Sequence, residues 1–320
     1  MTELELFRPA LIIFAMRFRI ALLLLTITAA ARAGVIEDVR AAIAQNNFRA
    51  AESQVRSYKA QRGVAPELSE AVSWIARGAL AAGQLDLADK YAREARAQVA
   101  QQLNTRRLDS DAHLPIALGA AIEVQAQVLV ARGERQQAVT LLQSSLRSYG
   151  RTSIRSRLQK NLNLLNLVGR PAPPIRAEQY LGGKPKTLAE MKGAPVLLFF
   201  WAHWCGACKY EAPIITRLRN EYASRGLNVI APTQFYGYAK QGEDASPAAE
   251  LAWIDKVRQR FYSGLLDVPV PVSKANFDRY GASTTPTLVV LNRQGMVDLY
   301  HPGLMSYDEL RSALEQAFSR

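Results

Sequence analysis

Cysteine is scarce in this chain: 320 residues hold two, Cys205 and Cys208, with only two residues between them. A pair so close cannot be a framework that staples a small core. Closing a four-residue loop would stabilise by only about 2 kcal/mol on the chain-entropy formula, before strain is subtracted. The pair is better placed for exchange than for support. Histidine is nearly as rare, and His113, His203 and His301 stand singly. A zinc half-site at C-x-x-C needs two further ligands, which scattered histidines supply poorly. Blocks of consecutive basic residues are also missing, although the net charge is +12. The excess is spread along the chain, whereas a nucleic-acid binder concentrates it on one stripe. It reads as a solvated basic surface, with weak attraction to anionic lipid or acidic partners as the sharper alternative.

With 49% hydrophobic and 21% charged residues, the composition suits folded, core-forming domains. The length exceeds the roughly 100–200 residues of one compact domain, so two domains and an N-terminal extra are expected. Met16-Arg17-Phe18-Arg19 is a short basic segment. Ile20 to Ala31 carries no charge, and Ala31-Arg32-Ala33 has the A-x-A form of a cleavage site. These are the three regions of a secretory signal in order. A spanning helix wants about 20 apolar residues, and Arg17 and Arg19 block a backward extension. Residues 1–33 are therefore read as a signal peptide, with Met16 as a candidate true start and an uncleaved membrane anchor as the alternative. The expected location is periplasmic.

Residues 34–168 are rich in Ala, Leu, Gln and Arg, which favour helix. Asn46, Gly83 and Gly133 each precede an alanine (Ala51, Ala88, Ala138) by five residues. Gly or Asn at such a point can take the left-handed conformation that ends a helix, and the alanine lets the next helix pack closely. The pattern resembles the tetratricopeptide repeat, although the turn spacings of 37 and 50 residues exceed its usual period of about 34. A plain helical bundle is the alternative. Residues 151–167 add one more amphipathic helix. Gly169-Arg170-Pro171-Ala172-Pro173-Pro174 then breaks helix and marks the boundary to a second domain, 169–320.

In that domain Pro195 to Ala202 is a continuous apolar run, as a strand buried on both faces should be. It leads into Trp204-Cys205-Gly206-Ala207-Cys208 and a helix reaching about Arg225, with Pro213 inside it as a kink. Leu227–Ala231 reads as a strand, Pro247–Phe261 as a helix, and Thr287–Leu291 and Met296–Tyr300 as paired strands. Ser306 and Glu309 form a capping box for a last helix. A C-x-x-C that opens a helix has a physical rationale. Free N–H groups and partial positive charge favour a thiolate on the first cysteine. The second thiol, one turn deeper, can attack a mixed disulfide formed on the first. Cys205 is thus the candidate nucleophile and Cys208 the resolving thiol.

Trp201-Ala202-His203-Trp204-Cys205-Gly206-Ala207-Cys208, with Pro213 five residues on, resembles the thioredoxin active site. Pro171-Ala172-Pro173-Pro174, Gly182-Gly183-Lys184-Pro185 and Cys208-Lys209-Tyr210-Glu211-Ala212-Pro213 narrow the likeness to the TlpA/ResA branch of exported thioredoxin-like proteins. It covers about residues 170–320. The resemblance implies an α/β thioredoxin-like domain behind the all-α TPR-like one. It implies that Pro286, after Thr285, is the cis-proline that helps hold an incoming peptide. It also implies that Glu211 is the acid near the buried cysteine, able to relay a proton, and that Trp204 flanks the disulfide at the surface. For Glu211 an exposed helical glutamate is the alternative. Thioredoxin carries a buried aspartate where this chain has Phe199, which leaves Glu211 as the only obvious local acid. Ala207 stands where a proline is frequent. His203 reads as a lone exposed histidine. Phe235-Tyr236-Gly237-Tyr238 is an aromatic loop that lines the substrate groove or packs on the helical module.

The expected function is an exported thiol–disulfide oxidoreductase, a disulfide reductase by resemblance, with an oxidase or isomerase as variants. No cofactor, metal or nucleic acid is expected. The expected partners are disulfide-containing proteins, a membrane electron donor that re-reduces the pair, and a protein held by the helical module. The competing class is a protein-binding scaffold in which the thioredoxin fold is incidental. A peroxidase reading fails because no threonine precedes a single reactive cysteine.

Overall fold

The computed structural model describes residues 34–320. The signal-peptide segment 1–33 and the candidate start at Met16 lie outside the described residues.

Among the described residues, seven α-helices come first: α1 (Val35–Ala44), α2 (Phe48–Arg62), α3 (Pro66–Ala81), α4 (Leu85–Gln102), α5 (His113–Ala131), α6 (Arg135–Tyr149) and α7 (Arg155–Asn166). Three of the turns between them use one device. Asn46, Gly83 and Gly133 have φ of 55°, 72° and 82°. In each case the next residue donates its N–H to the carbonyl five residues back: Asn47 to Ala42, Gln84 to Ala79 and Glu134 to Leu129. This 6→1 bond closes the orphan carbonyls of the finished helix. Ala51, Ala88 and Ala138 are then fully buried where the following helix meets its neighbours. Each helix packs on the next, and α1, α3, α5 and α7 also touch in succession. Helix α5 is apolar nearly all round and contacts α3, α4, α6 and α7. A helix of that composition has to be covered on every side.

The second region is a mixed sheet with helices on both faces. Its strands are β2 (Val196–Phe200), β3 (Asn228–Ile230), β5 (Thr287–Leu291) and β6 (Val297–Pro302), in the order β3-β2-β5-β6. The β2–β3 pair is parallel, and the other two pairs are antiparallel. Two residues each of β1 (Tyr180–Leu181) and β4 (Val270–Pro271) pair separately. The alternation of β2 divides the core. Leu197 and Phe199 face α8 (Gly206–Glu221), α9 (Pro247–Phe261) and α11 (Tyr307–Ser319). Val196, Leu198 and Phe200 face α10 (Lys274–Tyr280) and Leu167. A strand filled on both faces has no polar side to show, as its sequence indicates.

The segment after α7 is bound to the sheet. Gly169 N–H donates to the Val297 carbonyl, Val297 N–H to Arg170 and Ala172 N–H to Gly295. Helix α7 packs on α10, where Ser156 Oγ donates to Asp278 Oδ1 at 2.7 Å and Asn163 Nδ2 to the Arg279 carbonyl at 3.3 Å. Gly281 closes α10 in the left-handed region, and a Cβ there would overlap the backbone of Gln159 and Lys160. Only glycine allows so close an approach.

Candidate redox site at the start of helix α8

Strand β2 ends at Phe200, and the next five residues carry the chain to Cys205, the N-cap of α8. Trp201 anchors this passage: its indole N–H donates to the Ala231 carbonyl, and its own carbonyl accepts from Thr233 Oγ1. Cys205 and Cys208 are joined as a disulfide. The Cys208 backbone N–H points at Cys205 Sγ, 3.0 Å away, so a free donor of the first helical turn is spent on the outer sulfur. Cys205 retains 4% exposure and Cys208 none. Of the pair, only Cys205 therefore keeps any exposed surface.

Four further predicted residues converge here. The Thr285–Pro286 peptide bond is cis, and the Thr285 carbonyl oxygen lies 3.4 Å from Cys205 Sγ. Thr285 Oγ1 is buried without a hydrogen-bond partner among the described residues. Trp204 is half exposed beside the disulfide, at 49%. Glu211, one turn beyond Cys208, is fully buried, which removes the exposed-glutamate alternative. Its Oε2 accepts from the Met305 N–H at 3.2 Å, and its Oε1 has no partner among the described residues. Burial pushes its carboxyl up to about 7, only partly opposed by the Met305 bond.

His203 differs from the reading as a lone exposed side chain: it is 2% exposed. Its Nε2 lies 3.4 Å from Oε1 of Glu250, itself buried on α9. Burial lowers its basicity below the ordinary imidazole value, against the pull of Glu250, which disfavours the imidazolium. Glu250 also accepts the N–H groups of Tyr236 at 2.6 Å and Gly237 at 2.9 Å. The aromatic loop is thereby held against the redox turn and away from the helical region. Tyr236 and Tyr238 meet the His203 ring edge-on, and Tyr236 also meets Trp204. Glu250 is thus a second buried acid near the site, beside Glu211. Sequence reasoning missed it because 47 residues separate it from His203, with no local pattern linking the two.

A cysteine pair opening the helix after a central strand, opposite a cis-proline, is the arrangement of a thioredoxin-fold redox domain. A thioredoxin-like domain model matches residues 186–318. The chain is 30% identical over 158 residues to a thioredoxin-like protein of Haemophilus influenzae, covering 83% of that relative and 48% of this chain. It is 29% identical over 148 residues to the thioredoxin-like protein YneN of Bacillus subtilis, covering 78% of it and 46% of this chain. It is 26% identical over 150 residues to the thiol-disulfide oxidoreductase ResA of Geobacillus thermodenitrificans, covering 76% of it and 46% of this chain. The chain belongs to the thioredoxin-like family.

Proposed function

We propose that this protein is an exported disulfide reductase in which Cys205 is the nucleophile and Cys208 the resolving thiol. In the reduced form the Cys205 thiolate attacks one sulfur of a substrate disulfide. A mixed disulfide forms, and the other substrate sulfur leaves as a thiolate. The Cys208 thiolate then attacks Cys205 Sγ, forming the Cys205–Cys208 bond and releasing the second substrate sulfur. Two electrons pass from the protein to the substrate, and a membrane electron donor must return them in an oxidising compartment. Glu211, buried one turn from Cys208 and with its carboxyl raised to about 7, suits the role of taking the Cys208 proton. Thr285, Pro286 and Trp204 line the approach to Cys205 and serve to seat the substrate chain. The helical region serves to hold a protein partner, as a TPR-like stack.

The observation that carries this reading is the asymmetric disulfide, in which Cys205 keeps slight exposure while Cys208 is fully buried one helical turn from the buried acid Glu211. Its test is the reduction potential of the pair, by equilibration against dithiothreitol and glutathione buffers. A value near that of thioredoxin, about −270 mV, supports a reductase. A value near about −120 mV makes the protein an oxidant, and the direction of electron flow is then reversed. If Cys205→Ser retains full biological activity, the chain is a scaffold and the redox reading falls.

A further inference from the structure

A cavity of about 490 Å³ opens beside the redox turn, with His203 and Trp204 forming one wall. The remaining walls bring together Lys209, Lys240, Lys256 and Arg260 with Trp253 and Phe261. Among the described residues, no carboxylate lines it. The sequence spreads these cations over about fifty residues, which is why no basic block is visible there. None of the four is within ion-pair distance of an acid among the described residues. Arg258, which lies between Lys256 and Arg260 on α9, is paired with Asp255 instead. Three of the unpaired cations rest on aromatic faces. Lys209 Nζ stands 4.5 Å from the Phe261 ring centre, Arg260 Cζ 5.1 Å from the same ring, and Lys256 Nζ 5.8 Å from Trp253. An aromatic face orients a cation and leaves its charge unneutralised. The result is a concave surface of four positive charges that adjoins the residue before Cys205.

We infer that this pocket takes acidic side chains of the substrate polypeptide, close in sequence to the disulfide under attack. The inference rests on the disulfide-exchange reading above. A substrate sulfur at Cys205 must bring its flanking residues past Trp204. Carboxylates there gain attraction from all four cations, without displacing an existing ion pair. Charge complementarity of this kind acts mainly on encounter and orientation.

The test uses the reduced full chain and two synthetic peptides with the same intramolecular disulfide, flanked by Asp and Glu in one and by Asn and Gln in the other. The readout is the ratio of their second-order reduction rates. The acidic peptide is expected to react on the order of tenfold faster at low ionic strength, the ratio falling toward one as salt is raised. The same fall is expected in Lys256→Gln/Arg260→Gln. Both side chains are exposed, so the fold should tolerate their loss. Lys240→Gln, outside α9, should lower the ratio by itself. A ratio near one in the wild-type chain overturns the inference, as does a ratio unchanged in the double variant. If anionic vesicles bind the wild-type chain but not the double variant while the peptide ratio is one, the pocket serves a membrane surface and the inference is overturned in that direction. If neither peptide reacts, the exchange reading itself falls and this inference with it.

Discussion

The Nε2 of His203 and the Oε1 of Glu250 lie 3.4 Å apart, and both side chains are closed off from solvent. The same carboxylate carries the N–H groups of Tyr236 and Gly237, so one acid ties the aromatic loop to the turn before the cysteines. Replacing Glu250 by Ala leaves the Tyr236 and Gly237 N–H groups without an acceptor and removes the carboxylate beside the His203 ring. The expected loss is about 2–4 kcal/mol in denaturant unfolding, with Glu250→Gln costing roughly half as much because one acceptor oxygen remains. The loop should also become a site of proteolytic nicking in Glu250→Ala. Equal stability of the wild type and both variants would remove Glu250 from this role.

Glu211 makes stability depend on pH in a defined window. Its carboxyl is raised from 4.5 to about 7 by burial, so the folded chain holds a proton that the unfolded chain has released. Stability is therefore full below the unfolded value and is lost as pH rises through the folded one, by up to about 3 kcal/mol. Glu211→Gln removes the dependence. Relative to the wild type, the variant should be more stable at pH 8 than at pH 5 by about 2 kcal/mol, measured on the oxidised form. His203, whose basicity is lowered, pushes the wild-type slope the opposite way below pH 6.5, so the informative quantity is the difference between the two proteins. An unchanged difference from pH 5 to pH 8 would place the Glu211 carboxyl in an ordinary environment.

The burial asymmetry of the two sulfurs sets the fate of mixed disulfides. Cys208→Ser should accumulate them, because nothing remains to attack Cys205 Sγ. Cys205→Ser should accumulate none, since Cys208 has no exposed surface. Non-reducing electrophoresis after incubation with a disulfide peptide distinguishes the two. Adducts on Cys205→Ser would mean that the inner sulfur is the one that reacts.

Gly281 and Gly295 both have positive φ, at 61° and 78°. A Cβ on Gly281 meets the backbone of α7, whereas one on Gly295 meets only the flexible end of Lys192. Gly295→Ala should cost about 1 kcal/mol, for the left-handed conformation alone. Gly281→Ala should cost about 2–4 kcal/mol, because overpacking against rigid backbone is added. Its segment after α7 should be cleaved faster in limited proteolysis. Equal costs in the two variants would show that α7 and α10 are not in firm contact.

Much of this architecture was legible where the cause is local. Asn46, Gly83 and Gly133 announce their turns because left-handed backbone admits few residue types. The run through β2 announces a strand because both its faces are covered. Pro247 to Phe261 was read at its observed ends, since Ser246 caps it and proline suits its first position. Strands β1 and β4, two residues each, carry too short a pattern to be seen. Helix α10, seven residues long, is too short for its pattern to show. In the site, Cys205, Cys208 and Pro286 stand in motifs, and Glu211 is one helical turn from a cysteine. The His203–Glu250 contact and the basic cavity arise only when α9 folds against the redox turn, and no spacing in the chain encodes them.

The Gly281 contact has a consequence for reach. Four residues beyond it stands Thr285, whose carbonyl meets Cys205 Sγ, so only a short stretch of chain links the α7 contact to the redox pair. A polypeptide seated on the helices, as proposed, would meet Cys205 at an offset set by that short link. A client whose disulfide lies at that offset from its seat reacts as if intramolecularly, at a high effective concentration. One whose disulfide lies elsewhere gains nothing from being held. If the helical region holds a client as proposed, such an arrangement would select clients by length as well as by chemistry.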